Sequence, residues 1–200
     1  MIASVEALSR RSGVVVAVLL AACGAAADGP LTVSLGLPRD QVADELRRHE
    51  FCRRAEPPAD SELFPRCDHP GLDWGEAWVV ADYNGGRLVR LQRWERYGDD
   101  ARAVERWNQL VAQRTRLSGP ASDEARRQML SRADLPPGTR TWTAFRAGDY
   151  TLVGVYLLTP SPPENAAILE RIVVGAPASE TPPAPPPQRP GCKDCAPVTE

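Results

Sequence analysis

Lysine is nearly missing from this 200-residue chain: Lys193 is the only one, and every other basic residue is arginine. Arginine offers a planar fork suited to carboxylates and phosphates, yet a bias spread over the whole chain is explained by codon usage without any ligand. Excess positive charge is missing too. The 24 basic and 26 acidic residues leave a formal charge of -2, so no electrostatic footprint for a nucleic-acid partner exists. Histidine occurs only at His49 and His69, and there is no GxSxG, HExxH or phosphate-loop glycine pattern. The common hydrolase, zinc-protease and nucleotide signatures are therefore excluded. Long apolar runs are absent as well. The longest, from Val14 to Ala22, is about half of the roughly 20 residues a membrane-crossing helix needs.

That short run is the most telling stretch present. Arg10 and Arg11 precede it and Leu20-Ala21-Ala22-Cys23 closes it, the basic start, apolar middle and small-residue end of an export signal. The ending resembles the lipobox of bacterial lipoproteins. That resemblance implies a diacylglyceryl group on the Cys23 thiol and cleavage just before it. Residues 1–22 would be the signal peptide and 23–30 a lipidated linker, leaving 22 basic and 25 acidic residues, a charge of -3. Acyl chains contribute about 0.8 kcal/mol per buried methylene and hold a protein on a membrane that its polypeptide never enters. Two alternatives stand beside this one: release as a soluble exported protein after Ala25-Ala26-Ala27, and retention of the uncleaved segment as an anchor.

The remaining cysteines are Cys52, Cys67, Cys192 and Cys195. An even number in an exported chain suits disulfides. Bridging Cys52 and Cys67 closes a loop of about 15 residues, worth about 3 kcal/mol where the geometry allows it. Free thiols are one alternative. Zinc on His49, Cys52, Cys67 and His69 is another, although Cys67-Asp68-His69 spaces two ligands more tightly than structural zinc sites do. No metal and no cofactor is expected.

The folded region is expected over residues 31–175, as one α+β domain. Leu31 to Gly36 reads as a short strand, and Pro38-Arg39-Asp40 opens a helix with Val42, Ala43 and Leu46 on one face. Glu76 to Tyr83 and Arg87 to Tyr97 read as a hairpin turning at Asn84-Gly85-Gly86, because asparagine and glycine accept positive φ. It would direct Val79, Ala81 and Tyr83 to the core, with Val89 and Leu91 available opposite. Asp99 caps a helix with Ala103, Val104, Trp107, Leu110 and Val111 at helical spacing. A further helix spans Ser122 to Ala133, and a second hairpin, Thr141 to Ala147 and Tyr150 to Leu158, turns at Gly148-Asp149. Trp78 and Trp142 each stand ten residues before a Leu-Val pair, at Leu88-Val89 and Leu152-Val153, which suggests a tandem helix-hairpin repeat.

The expected architecture is thus an antiparallel sheet with helices on one face. Its element order loosely resembles small outer-membrane-assembly lipoproteins and β-lactamase-inhibitor-like repeat folds, and the resemblance implies protein binding. Residues 176–200, rich in proline, read as a disordered tail ending in Cys192 and Cys195, a small disulfide loop or an incidental pair with no helix to activate its thiols, with metal capture or redox exchange as the alternatives. No catalytic residue stands out. His69 near Asp68, Asp73 and Glu76 reads as a solvated loop, and of the tryptophans only Trp74 is expected to be exposed. The functional expectation is a membrane-anchored, non-enzymatic envelope lipoprotein with a protein partner. A glycan or small-ligand binder is the alternative, followed by an enzyme.

Overall fold

The structure is a computed structural model describing residues 29–54, 60–68, 77–159 and 166–176. Six strands form one antiparallel sheet in the order β1-β2-β3-β6-β5-β4: β1 (Ser61–Pro65), β2 (Ala77–Asn84), β3 (Arg87–Tyr97), β4 (Thr139–Arg146), β5 (Thr151–Leu158) and β6 (Ala166–Val174). Three helices accompany it, α1 (Arg39–Arg48), α2 (Asp100–Ser118) and α3 (Asp123–Arg132). None of the helices among the described residues is long and apolar enough to cross a membrane.

The local signals explain most of these elements. The Asp99 carboxylate accepts from Ala101 N–H at 2.9 Å and starts α2, and Ser122 does the same for α3 through Ala125 N–H at 3.1 Å. Each satisfies a helix-end amide that would otherwise lack a partner. Gly85 and Gly86 take φ of 56° and 74° in the β2–β3 turn, a region costly for residues with a Cβ. Gly138 is fixed twice over, since its φ is 76° and a Cβ there would fall on the Thr159 carbonyl.

Strand alternation sorts the side chains onto two faces. Val79, Ala81, Leu91, Ile168, Ile172, Val153, Val155 and Phe145 line one face under α1 and α2, with Val42, Leu46, Ala103 and Leu110 closing the core. Trp107 and Val111 pack against the same cluster, as the spacing of α2 predicts. Helices are not confined to that face, however. Ala125 and Met129 of α3 pack with Ala144, Leu152, Tyr156 and Leu169 on the opposite one, because β5 and β6 are apolar on both sides and need cover on both.

Five further points differ from the sequence reading. Leu31–Gly36 joins no ladder; it lies extended, with Gly36 N–H bonded to Leu88 C=O at 2.8 Å. Val89 is 38% exposed, because a register shift at Asp82/Tyr83 pairs Tyr83 with Leu88 and Asp82 with Arg90. A bulge puts two residues opposite one, so Leu88 takes the core position. The loop between the cysteines contains β1, and β6, unread in the sequence, is a central strand. The helix-hairpin repeat is not shown: each half of the sheet has three strands, and the two hairpins hold different positions in it.

Among the described residues, chain runs along the β1 edge and meets the β4 edge at one bond. Beside β1, Cys52 N–H bonds Pro65 C=O at 2.9 Å and Cys67 N–H bonds Glu50 C=O at 2.9 Å. Cys52 and Cys67 are disulfide-bonded there, with Cα atoms 4.8 Å apart. At β4, Ser122 N–H takes the Ala144 carbonyl at 3.2 Å. Occupied edges discourage pairing with another chain.

Candidate functional site

Three features could carry function: a buried ionic chain, an open cavity beside it, and the sheet face that α3 leaves bare. The ionic chain lies between the sheet and α2. Alternation along β3 turns Arg93 and Glu95 inward after Leu91, β6 does the same for Glu170, and α2 lowers Arg106 and Arg114 onto them. Arg93 is 1% exposed and Glu170 fully buried. Arg106 grips Glu95 with two bonds of 2.9 Å, and Tyr97 donates its hydroxyl to the same carboxylate at 2.6 Å. Arg93 stands 3.1 Å from Glu95 and 3.4 Å from Glu170, while Arg114 Nε donates to Glu170 at 2.7 Å. Burial opposes ionisation of Glu95, but Arg93 and Arg106 outweigh it and hold its pKa at about 2. Burial, with Glu95 beside it, raises that of Tyr97.

This chain grips the extended segment that opens the domain. Leu31 N–H donates to Glu170 at 3.2 Å, the Leu31 carbonyl accepts from Arg114, and the Gly29 carbonyl accepts from Arg93 at 2.5 Å. Backbone groups buried outside a ladder need such partners. The chain is structural, because its charges are spent on each other and on this segment.

The cavity, about 440 Å³, lies between Leu31–Ser34, the end of α2 and the β4–β5 turn. Leu31, Val33, Val153 and Ile172 are among its apolar lining residues, and Arg114 and Arg146 supply its guanidiniums. Both are engaged: Arg114 as above, Arg146 with the carbonyls of Asp149 and Ala176 and with Gln128. The cavity therefore presents a recess without a reactive pair.

The third feature is the face opposite α1 and α2. The register Pro65–Trp78–Trp94–Leu169–Tyr156–Trp142 runs across all six strands there. Trp78 and Trp94 stack with centroids 6.1 Å apart and planes 6° from parallel, and Trp142 stacks on Tyr156 at 5.4 Å. Arg126 of α3 covers Trp142 at 4.8 Å, and Arg171 lies 5.5 Å from the Tyr156 ring centre. Over β4 and β5 the row is closed by α3, and Leu169 of β6 is buried in the same cluster, with Trp94 packed against it. Over β1 to β3 the described residues place no helix, and Trp78 and Trp94 remain half-buried. Gln92 and the pair Asp82 and Arg90, 2.5 Å apart, complete the part of this face that no described helix covers.

Several expected site residues fall elsewhere. Cys23, Cys192, Cys195, His69 and Trp74 lie outside the described residues. His49 follows α1 and stands 3.4 Å from the Thr32 hydroxyl. With Cys52 and Cys67 bonded to each other, neither is a thiolate for zinc. No cluster of metal-ligating residues occurs among the described residues. Trp78 and Trp94, expected in the core with every tryptophan but Trp74, are half-buried on the outer face, and the ionic chain has no sign in the sequence beyond Arg93 and Glu95 continuing the inward period of Leu91. No protein-family model, curated protein or solved structure matches this chain.

Proposed function

We propose that this chain is a lipid-anchored protein of the cell envelope, held through acylated Cys23, whose domain binds an envelope protein without catalysing a reaction. The observation that carries the binding reading is the stacked Trp78–Trp94 pair on the part of the sheet that no described helix covers. Half-buried aromatic side chains amid a mixed polar rim are favoured anchors at protein interfaces. A second reading draws on the same place: planar indoles beside Asp82, Arg90 and Gln92 also suit a glycan, which stacks on rings and needs flat hydrogen-bonding groups around them.

The anchor is tested by Cys23→Ala, which is expected to lose the acyl mass shift and move the protein from membrane to soluble fractions. Retention in membranes with the mass shift intact overturns it. The face is tested by a photo-reactive residue at position 80 in living cells. A discrete protein adduct that Trp94→Ala removes supports the partner reading. Adducts to glycan alone favour the second reading, and no adduct at all overturns both.

A further inference from the structure

We infer that the cavity beside the entry segment takes the free carboxyl end of an extended peptide, which pairs with the backbone at Val33 and sets its terminal carboxylate on Arg114. The site is separate from the Trp78–Trp94 face and does not depend on the reading of that face. The entry segment supplies the first argument. Burial alternates along Leu31, Thr32, Val33 and Ser34, with Leu31 and Val33 buried and Thr32 and Ser34 exposed, which is the period of a strand. The N–H and carbonyl of Leu31 are taken by Glu170 and Arg114. No described residue takes the backbone groups of Thr32, Val33 or Ser34. Alternate residues of a strand direct their N–H and carbonyl to the same side, so Val33 turns its pair the way Leu31 does, toward Arg114 and the cavity that both residues line. Buried backbone groups without partners are rare, and a strand laid alongside supplies them.

Charge supplies the second argument. Arg106, Glu95, Arg93, Glu170 and Arg114 alternate in sign along the ionic chain, and the end that meets the cavity is a cation. Arg114 is 3% exposed; its Nε and Nη2 are bonded, whereas Nη1 has no partner among the described residues. Arg146 lines the same recess bonded to carbonyl oxygens alone, and no acidic residue stands among the lining. Buried guanidiniums are best satisfied by carboxylates, and one placed beside Nη1 continues the alternation by a step. Size and lining supply the third argument. From Leu31 to Ser34 the segment offers about 10 Å of edge, the length of three extended residues, and a volume of about 440 Å³ falls within the range of ligand sites. Because Arg114 sits at Leu31, the peptide runs antiparallel to the entry segment. Leu117, Ala147, Val153 and Ile172 complete the apolar lining and none carries a ring, so the terminal side chain that fits is aliphatic.

The test titrates the full chain, in detergent micelles, with dye-labelled tetrapeptides ending in valine or leucine, made as free acids and as C-terminal amides, and reads binding by fluorescence anisotropy. The acids are expected to bind, and the amides to bind about tenfold more weakly or worse, because a hydrogen bond to a charged group is lost. Bound acid should slow hydrogen exchange at the Val33 amide several-fold and leave Leu31, already bonded to Glu170, unchanged. Thr151→Glu adds a carboxylate to the lining at a half-buried position and should bring the acids down to the affinity of the amides, while Trp94→Ala should alter neither. Equal affinity for acid and amide overturns the carboxylate site, as does a Thr151→Glu protein that binds the acids as tightly as the parent. Binding that leaves Val33 exchange unchanged overturns the strand pairing. Loss of binding in Trp94→Ala assigns the peptide to the tryptophan face and overturns the inference, and so does a failure of every peptide to bind.

Discussion

Replacing Glu170 with alanine is expected to cost about 3–5 kcal/mol, the range measured when one partner of a buried ion pair is removed. Glu170 is fully buried on β6, where it receives Arg114 at 2.7 Å, Leu31 N–H at 3.2 Å and Arg93 at 3.4 Å. Its loss leaves the buried Arg114 guanidinium with no carboxylate and the buried Arg93 guanidinium with Glu95 alone. Domains of this size have about 5–15 kcal/mol to lose. With a urea dependence of about 2 kcal/mol per molar, the midpoint of unfolding should fall by about 2 M. The assay is equilibrium urea unfolding followed by tryptophan fluorescence and by circular dichroism. Arg114→Ala alone should also destabilise, and the double variant should lose less than the two single losses combined, because residues in one network are coupled by about 0.5–3 kcal/mol. A Glu170→Ala protein within about 1 kcal/mol of the parent would refute the reasoning, since a buried carboxylate bridging two arginines cannot be that cheap to remove.

Two further outcomes follow from the same contacts. Glu95 has its pKa lowered from 4.5 to about 2, so its contribution is fully present above about pH 4.5 and is lost as pH falls toward 2; Glu95→Gln should flatten that part of the stability-pH curve, and an unchanged acid limb would contradict it. Replacing both Cys52 and Cys67 with serine should cost about 3 kcal/mol and speed hydrogen exchange at residues 51–54 and 61–66 more than in β5, a pattern that uniform acceleration across the sheet would rule out.

What the sequence discloses and what it hides divide on physical lines. The hairpin at Asn84-Gly85-Gly86 and the α2 start at Asp99 are legible because turn and cap chemistry act within a few residues. Ala166–Val174 is a central strand, buried on both faces except at Val174, so it shows no alternation, and Glu170-Arg171 interrupts its apolar run in the manner of a loop. Leu31–Gly36 has the composition of a strand, but pairing depends on a neighbour that only the tertiary fold supplies or withholds. The ionic chain was least accessible. Arg93, Glu95, Arg106, Arg114 and Glu170 each resemble solvated surface charges, and the period-2 continuation of Leu91 into Arg93 and Glu95 was the one local sign of burial. The bare face depends on which strands α3 covers, and no spacing in the chain encodes that.

The placement of this ionic chain has its own logic. An Arg–Glu network in a core usually gains little over well-packed hydrophobic residues of the same size, because desolvation offsets the attraction. Here hydrophobic residues would fail for a separate reason. The segment entering the domain is buried at Leu31 and Val33 yet belongs to no ladder, so the Gly29 carbonyl and the Leu31 amide and carbonyl would be left without partners, at about 1–3 kcal/mol each. Arg93, Arg114 and Glu170 supply those partners directly, while Glu95 and Arg106 balance the charge at the other end. The network thus converts an otherwise costly entry segment into a fixed one. Only five residues lie between Cys23 and Gly29, six Cα-to-Cα steps with a reach of at most about 21 Å. An anchor at Cys23 would then hold the domain close to the bilayer at a point in the sheet's interior rather than at the end of a loose tether. Loosening Arg93, by Arg93→Met, should free that entry segment to trypsin-independent proteases such as thermolysin while β2 to β6 stay protected, and equal cleavage throughout would mean that the segment and the sheet unfold as one unit.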